Sequence, residues 1–310
     1  MTTVLFDAGA ARWPDWEQPL KAALSRAGVT AELVQQAEPG DVDAIIYAPS
    51  GGTISDFAPY VKCKLVQNLW AGVEQITGNR TLTQPLCRMV DPGLTQGMVE
   101  YVVGHVLRAH LHTAGTDAAR QGSWVPEAPP LASERPVAML GLGALGIACG
   151  RALAGLGFPV LGWSRSAKQH TEIACHHGDE GLRRVLDQAQ IVVTLLPDTP
   201  ATTNLIDART LGWMPRGAAL INPGRGTLID DDALLAALDS GHVGHATLDV
   251  FRTEPLPADH RYWAHPSVTV TPHIAADTRH ETAAQLVAEN LRRMLAGAPL
   301  LHQVDRAAGY

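Results

Sequence analysis

Three polar residues in the second half of the chain have the types needed for chemistry on a carbonyl compound. Arg225 lies between two glycines, Glu254 precedes a proline, and His273 follows one in an otherwise apolar stretch. A guanidinium fork can hold a carboxylate together with a neighbouring carbonyl, and an imidazole can pass a proton to a carbonyl oxygen. Together the three residue types predict a site that binds a 2-oxo acid and moves a proton on its carbonyl oxygen.

Each of the three residues also has an ordinary structural interpretation. Arg225 alone fits a surface salt bridge, Glu254 alone fits a turn, and a histidine at the end of a strand is most often hydrogen-bonded and structural. The combination of Glu254 with His273 favours the functional interpretation. A carboxylate bonded to one ring nitrogen would raise the pKa of His273 and keep a proton ready for a substrate.

A glycine motif upstream indicates a dinucleotide site. The apolar run Pro136–Leu140 predicts a strand and Ile147–Leu156 predicts a helix, so the GxGxxG motif lies in the strand–turn–helix context that it requires. The glycines would permit a sharp bend and a close approach of the pyrophosphate, which the helix N-terminus stabilises. A purely structural turn is the alternative. The candidate cofactor-binding residues of this motif are Gly141, Gly143, Ala144, Leu145 and Gly146.

The residues after the next predicted strand distinguish NADH from NADPH. An NAD site normally has an Asp or Glu there, about 20 residues beyond the glycines, to bond the adenine ribose. This chain instead has Ser164, Arg165 and Ser166, and it has no acidic residue between Gly146 and Glu172. An arginine flanked by hydroxyls suits a 2′-phosphate. The sequence therefore favours NADPH, with NADH used at a lower preference, and a solvated loop arginine is the alternative.

Alternating strand-like and helical runs predict that two α/β domains position these residues. Residues 99–278 are expected to form a doubly wound parallel sheet around the glycine motif. Residues 1–98 and 279–310 are expected to form a smaller, discontinuous substrate domain, because a final helix from about Thr278 to Leu295 is long enough to return to it. A long helix from about Thr95 to Thr113 is predicted between the two.

Composition excludes several classes of protein. The net charge of −7 argues against a general nucleic-acid or membrane-surface binder, so that small anionic ligands would need dedicated arginines. No apolar stretch is long enough for a membrane span, and the N-terminus does not look like a signal peptide. The cysteines show no paired spacing, which predicts free thiols in a reducing cytoplasm and neither disulfides nor a metal site. They are Cys63, Cys87, Cys149 and Cys175.

Taken together, the motifs resemble the D-isomer-specific 2-hydroxyacid dehydrogenase family along nearly the whole chain. The matching segments are Asn222–Gly226, Asp249–Leu256 and Pro272–His273, in the same order and at compatible spacing. The resemblance implies a Rossmann nucleotide domain and a flavodoxin-like substrate domain. It implies that Arg225 binds the substrate, that His273 is the acid/base with Glu254 as its partner, and that Asp249 orients the nicotinamide carboxamide. Formate dehydrogenase activity is disfavoured, because those family members have Gln in place of Glu254.

Within the family the chain most resembles bacterial glyoxylate/hydroxypyruvate reductases. The segments that carry this resemblance are Gly162–Ser166, Leu196–Pro200 and the ending Gln303–Tyr310. It implies a homodimer that reduces glyoxylate and hydroxypyruvate with NADPH. Further cofactor contacts implied by the resemblance are Leu196, Pro197, Thr199, Pro223 and Gly224. The implied substrate contacts are Tyr47, Trp70, Ala71, Gly72, Arg225 and His273.

Two other functions remain open at this stage. A related enzyme of the same fold could prefer a larger 2-oxo acid such as phenylpyruvate. The family more often has a small or apolar residue in place of Trp70, which leaves the size of the substrate open. The residues that would decide substrate size are Tyr47, Trp70, Met98 and Trp263. A protein that senses NAD(P) without turnover is the second alternative. The complete set of Arg225, Glu254 and His273 argues against it.

Overall fold

The computed structural model describes residues 1–111, 128–306 and 309. Its internal contacts divide the chain into two units, of which the first comprises Met1–Leu94 with Asp277–Tyr310 and the second comprises Thr95–Ala276. The sequence-based boundaries were 98/99 and 278/279. The first unit is therefore built from both ends of the chain.

The first unit contains a parallel five-stranded sheet in the order β2-β1-β3-β4-β5. Its strands are β1 (Thr2–Asp7), β2 (Ala31–Val34), β3 (Ala44–Tyr47), β4 (Leu65–Asn68) and β5 (Leu86–Cys87). Every residue of β3 and β4 is buried, as expected for the central strands of a parallel sheet with both faces covered. This strand order is the flavodoxin-like one.

The C-terminal helix of the first unit is held to its sheet by a buried side chain. The helices of this unit are Trp13–Arg26, Glu74–Thr77 and His280–Leu295. Asn290, which is fully buried, donates from Nδ2 to Gln67 Oε1 in β4 at 2.7 Å and to Leu301 O at 3.1 Å. Its Oδ1 accepts the Leu301 amide at 2.8 Å. Both amide protons and the carbonyl oxygen of this side chain are thus hydrogen-bonded to residues outside its own helix.

The second unit contains a parallel seven-stranded sheet in the order β12-β11-β10-β9-β6-β7-β8. Its strands are β6 (Val137–Leu140), β7 (Val160–Ser164), β8 (Ala174–His177), β9 (Ile191–Thr194), β10 (Ala218–Asn222), β11 (Val243–Leu248) and β12 (Val268–Val270). Successive strands run outward from β6 to β8, and the chain then crosses back to β9 on the other side of β6. The doubly wound Rossmann arrangement and the predicted α/β fold class are confirmed.

Helices cover both faces of this sheet. Ala138 and Leu140 of β6 pack into one apolar cluster, whereas Val137 and Met139 pack into another, as the alternation of side chains along a strand requires. The helices of the second unit are Pro92–Leu111, Ala144–Gly155, Gly178–Gln188, Ala208–Leu211 and Asp231–Asp239, the first of which begins in the preceding unit. Residues 112 and 113 of the predicted long helix lie outside the described residues.

The four cysteines are free thiols, and three of them are buried. Burial raises the pKa of Cys63 to about 11 and the pKa values of Cys87 and Cys149 to about 12. In the described parts of the chain, no helix combines the length and the apolar character of a membrane span. The same residues contain no cluster of His, Cys, Asp and Glu suited to a metal ion.

Candidate active site

The glycine loop after β6 has the shape of a dinucleotide cradle. Gly141 has φ +110°, and a Cβ there would lie 2.3 Å from Leu195 O, while a Cβ on Gly146 would lie 1.8 Å from Gly141 O. Both positions therefore require glycine. A Cβ on Gly143, by contrast, would meet no described atom within 4 Å, so the loop is open at this point. The helix begins at Ala144, three residues earlier than predicted, and its N-terminus can stabilise a pyrophosphate.

Two cations lie beyond the end of β7. Ser164 Oγ donates to Ser166 O at 2.8 Å, which forms a turn with Arg165 at its exposed centre. Lys168 Nζ donates to Leu142 O at 2.6 Å, and this bond places a second positive charge at the glycine loop. Lys168 was not predicted as a cofactor residue. The signal that could have identified it is a second cationic residue only three positions after Arg165. These side chains fit the phosphates of NADPH.

The predicted cofactor residues after β9 form a turn closed by Thr202. Its Oγ1 donates to Pro197 O at 2.6 Å and accepts the Thr199 amide at 3.0 Å. Leu196 is buried beneath this turn. Because β9 is next to β6 in a parallel sheet, the turn lies at the same edge as the glycine loop. Thr202 is a residue that the sequence analysis missed.

A buried asparagine shapes the loop that carries Arg225. Asn222, at the end of β10, accepts at Oδ1 from Thr194 Oγ1 at 2.6 Å and from the Gly224 amide at 3.1 Å. Its Nδ2 donates to Arg225 O at 2.9 Å. The backbone of Pro223 and Gly224, both predicted to contact the cofactor, is held in place by these bonds. Arg225 itself has an extended backbone and donates from Nη1 to Gly224 O at 2.7 Å.

His273 and Glu254 form a hydrogen-bonded pair. His273 Nδ1 lies 2.7 Å from Glu254 Oε2, and Glu254 Oε1 accepts the Phe251 amide at 2.8 Å. A carboxylate can only accept, so the proton of this bond belongs to Nδ1, and Nε2 is the nitrogen left for a substrate. The bond to Glu254, opposed by burial, raises the pKa of His273. Burial acts against the charged form of Glu254, but the bonds from His273 and Phe251 outweigh it and lower its pKa.

Arg225 acts electrostatically on both members of this pair. Its charge contributes to the lowered pKa of Glu254 and opposes the raised pKa of His273. An arginine affects both groups only if it lies near them. The second unit therefore contains the predicted anion clamp, imidazole and carboxylate in one place.

Asp249 supports the turn that carries His273. Its carboxylate has no exposed surface and accepts from Thr271 Oγ1 at 2.6 Å and from the Ile274 and Ala275 amides at 2.9 Å each. The His273 amide donates to Asp249 O at 2.9 Å, and His273 has φ +54°. A non-glycine residue in this left-handed region needs a turn that is firmly held. The nicotinamide contact that the resemblance implied for Asp249 stays a prediction.

The predicted substrate loop of the first unit follows β4. Asn68 Nδ2 donates to Trp70 O at 2.9 Å and to Gly72 O at 2.8 Å, so both carbonyls point to a buried amide. Within the described ranges, no hydrogen bond uses the amides of Ala71 or Gly72. The Arg12 guanidinium lies 5.3 Å from the centre of the Trp70 ring. The loop thus presents backbone donors beside a cation, a combination that suits a carboxylate.

Tyr47, the predicted aromatic wall, packs mainly inside the first unit. It is 8% exposed, and its ring meets Phe57 edge-on with 5.4 Å between centroids. Its hydroxyl donates to Ile54 O at 3.3 Å, and burial raises its pKa. Little of its surface is therefore left for a substrate, and the contact that the resemblance implied for Tyr47 stays a prediction.

The sequence matches a model of one protein family. The model is that of the D-isomer specific 2-hydroxyacid dehydrogenase NAD-binding domain, and it matches residues 103–275. A glyoxylate/hydroxypyruvate reductase A from Salmonella heidelberg (strain SL476) is 35% identical over 303 residues, which is 95% of this chain and 96% of the relative.

Solved structures resemble the chain over its full length. A D-isomer specific 2-hydroxyacid dehydrogenase from Xanthobacter autotrophicus Py2, in complex with NADPH and MES, superposes with a TM-score of 0.92 at 39% identity, covering 100% of this chain and 99% of that chain. An NADPH-dependent glyoxylate/hydroxypyruvate reductase from Sinorhizobium meliloti, in complex with NADP and sulfate, gives a TM-score of 0.87 at 32% identity with 100% of both chains covered.

Proposed function

Because this chain belongs to the D-isomer-specific 2-hydroxyacid dehydrogenase family, we propose that it reduces small 2-oxo acids, glyoxylate and hydroxypyruvate foremost, with NADPH. The family match confirms the resemblance inferred from the sequence. The observation that carries the proposal is the 2.7 Å bond between His273 and Glu254, with Arg225 near enough to affect the pKa of both. Relatives named as glyoxylate/hydroxypyruvate reductases support the choice of substrates.

His273 is the proton donor of the proposed reaction. When bound, NADPH would supply a hydride to the carbonyl carbon of the 2-oxo acid and would itself become NADP⁺. As the C=O π bond breaks, the His273 imidazolium gives its Nε2 proton to the carbonyl oxygen. The neutral imidazole keeps its Nδ1–H bond to Glu254 and recovers a proton from solvent. The sum is 2-oxo acid, NADPH and a proton converted to 2-hydroxy acid and NADP⁺.

Arg225 binds and polarises the substrate in this proposal. Its planar fork can bond the carboxylate and the adjacent carbonyl oxygen together, which fixes the carbonyl relative to His273. The same charge stabilises the negative charge that develops on the oxygen during reduction. The guanidinium also disfavours protonation of His273, and the bond from Glu254 outweighs this effect. The three residues therefore work as a set.

Wild-type kinetics with a panel of 2-oxo acids test the proposal. We expect the highest kcat/KM with glyoxylate and hydroxypyruvate, and higher values with NADPH than with NADH. A higher kcat/KM for phenylpyruvate would favour the enzyme for larger substrates. If the protein oxidised neither NADPH nor NADH with any acid on the panel, it would be a nucleotide-binding protein without turnover. The homodimer is proposed on the family resemblance, and the cytoplasmic location on the free thiols of the cysteines. Sedimentation equilibrium tests the dimer.

Replacing Arg165 with aspartate should reverse much of the cofactor preference. Arg165 lies exposed in the turn after β7, where an acidic residue would select NADH. Loss of a charge-assisted bond to the 2′-phosphate is worth about 10- to 100-fold, so kcat/KM for NADPH should fall by that factor more than kcat/KM for NADH. Steady-state kinetics with both cofactors measure this ratio, and Arg165→Lys serves as the charge-preserving control. Equal losses for the two cofactors would show that Arg165 does not read the 2′-phosphate.

Replacing Glu254 with glutamine should move the high-pH limb of the reduction profile to lower pH. Reduction requires the imidazolium, which is present below the pKa of His273 and is lost as the pH rises through it. The bond to Glu254 raises that pKa, so a neutral amide should let the proton leave at a lower pH. Reduction at acidic pH should then survive better than reduction at neutral pH.

The measurement is a pH profile of kcat/KM for glyoxylate in the wild type and in Glu254→Gln. Glu281→Gln is a matched control, because Glu281 is an exposed residue in the first turn of the helix His280–Leu295. A high-pH limb that stays in place in Glu254→Gln would show that Glu254 does not tune His273.

A further inference from the structure

Hydrogen bonds connect the long helix Pro92–Leu111 with the turn that carries His273. Tyr101 Oη, on this helix, lies 2.7 Å from Thr271 Oγ1, which lies 2.6 Å from Asp249 Oδ1. The direction of these bonds follows from the groups themselves. Because the carboxylate can only accept, the single proton of Thr271 goes to Asp249, and Tyr101 must donate to Thr271. We call Tyr101, Thr271 and Asp249 the hydroxyl chain.

The hydroxyl chain ends on the backbone around His273. Asp249 accepts the amides of Ile274 and Ala275, and its carbonyl accepts the His273 amide. We propose that Tyr101 and Thr271 are positioning residues, which act through Asp249 to hold the His273 imidazole in the orientation that keeps its bond to Glu254. This inference rests on the proposed role of His273 as the proton donor.

The burial of Asp249 makes each of its donors important. A carboxylate without exposed surface has no water to replace a lost partner, so removing one donor weakens the arrangement of the others. The left-handed backbone of His273 is unfavourable for a histidine and depends on this arrangement. Loss of the Tyr101 hydroxyl would also leave a hydrogen-bonding site of Thr271 unsatisfied. Loss of the Tyr101 hydroxyl would thus affect the position of the His273 imidazole through the side chains of Thr271 and Asp249.

The direction of the hydrogen bonds in the hydroxyl chain does not change near neutral pH. Burial, slightly offset by the bond to Thr271, raises the pKa of Tyr101, so its hydroxyl remains a donor. The ring of His105 lies 4.4 Å from the ring of Tyr101, and burial together with Arg108 lowers the pKa of His105. The pKa of His105 is thus shifted in the opposite direction from that of His273, and the pKa of Tyr101 is raised further above its usual value. A shifted high-pH limb would report on His273 itself.

Thr269, which lies in β12 two residues before Thr271, provides a matched control. Its Oγ1 accepts from Arg108 Nη1 at 2.8 Å and lies 3.0 Å from His245 Nε2. Like Thr271, it is a partly buried threonine bonded to a side chain of the helix Pro92–Leu111. Unlike Thr271, it makes no hydrogen bond to Asp249 among the described residues. Thr269→Val therefore removes a hydroxyl of the same kind without touching the hydroxyl chain.

The experiment compares Tyr101→Phe, Thr271→Val, Thr271→Ser and Thr269→Val with the wild type. Loss of one donor to a buried charged group corresponds to roughly 10-fold, so kcat for glyoxylate should fall by about this factor in Tyr101→Phe and Thr271→Val. Their high-pH limbs should move to lower pH, because the bond between His273 and Glu254 is weakened. The dissociation constant of NADPH should stay near its wild-type value. Thr271→Ser and Thr269→Val should keep wild-type kcat and pH profiles.

An NMR titration of the His273 ring in the enzyme without NADPH gives a readout independent of turnover. The resonance of His273 is the one that is missing in His273→Ala. The pKa measured from this resonance should be lower in Tyr101→Phe than in the wild type. Because Tyr101→Phe removes a single oxygen, it tests the inference even if Thr271→Val does not fold. Variants that lost thermal stability but kept kcat, pH profile and the His273 pKa would overturn the inference, as would an equal loss in Thr269→Val. If His273→Ala itself kept full turnover, the proposed function would fail instead.

Discussion

Replacing His273 with alanine should lower kcat for glyoxylate by about 10²- to 10⁴-fold, the usual contribution of a general acid. The proton that we propose His273 donates from Nε2 would then have to come from water. Glu254 would remain in place, held by the Phe251 amide, so the loop should keep its conformation. NADPH binding should persist, because the glycine loop and the turn after β7 are unchanged. The measurements are steady-state kinetics and a fluorescence titration with NADPH.

His242→Ala is the control for this variant. His242 immediately precedes β11, at the opposite edge of the sheet from Asp249, and its Nε2 lies 2.9 Å from Leu211 O. Its loss should affect stability and leave kcat near the wild-type value. The acid role would be excluded if His273→Ala turned over glyoxylate at the wild-type rate. A large loss of NADPH affinity in the same variant would point to a cofactor contact instead.

Even the conservative change Arg225→Lys should lower kcat/KM for glyoxylate by about 10²- to 10³-fold, the range found when one donor to a developing oxyanion is removed. A lysine ammonium is a point charge and cannot bond the carboxylate and the carbonyl oxygen in one plane. The backbone of the loop should be maintained, because Asn222 bonds Gly224 N and Arg225 O and no side-chain atom of Arg225. NADPH affinity should change little.

The control for Arg225→Lys is Arg261→Lys. Arg261 forms an exposed salt bridge to Asp239 at 3.2 Å, and a pair of this kind contributes little to stability. Kinetics with glyoxylate and fluorescence titration with NADPH distinguish substrate from cofactor effects in both variants. Near-normal turnover in Arg225→Lys would rule out the bidentate clamp.

The sequence was sufficient for the fold class and for the grouping of Arg225, Glu254 and His273, because each of these residues follows a strand of one parallel sheet. The carboxyl ends of parallel strands lie at one edge of the sheet, independently of the conformation of the loops. The apolar runs of β6, β9 and β10 made the centre of this sheet recognisable. The outermost strand β8 was missed, since its four residues include two histidines and none is fully buried.

The supporting residues could not be predicted in the same way. Tyr101 and Thr271 are separated by 170 positions and meet only because the helix Pro92–Leu111 lies beside β12. Asn222 was noticed as part of a motif, but its bonds to Thr194 and to the loop depend on the register between β9 and β10. A pattern of residue types along the chain contains no information about such approaches. The structure supplies them.

The buried bond from Asn290 to Gln67 has a consequence for the order in which the chain folds during synthesis. These residues are 223 positions apart, and the strands of the first unit are complete long before the helix His280–Leu295 is translated. The second unit is continuous in sequence and is translated between the two segments of the first unit. Domains generally fold as units while the chain is being made. The unit that is translated first is therefore completed last, because the helix bonded to its sheet is translated after the whole second unit.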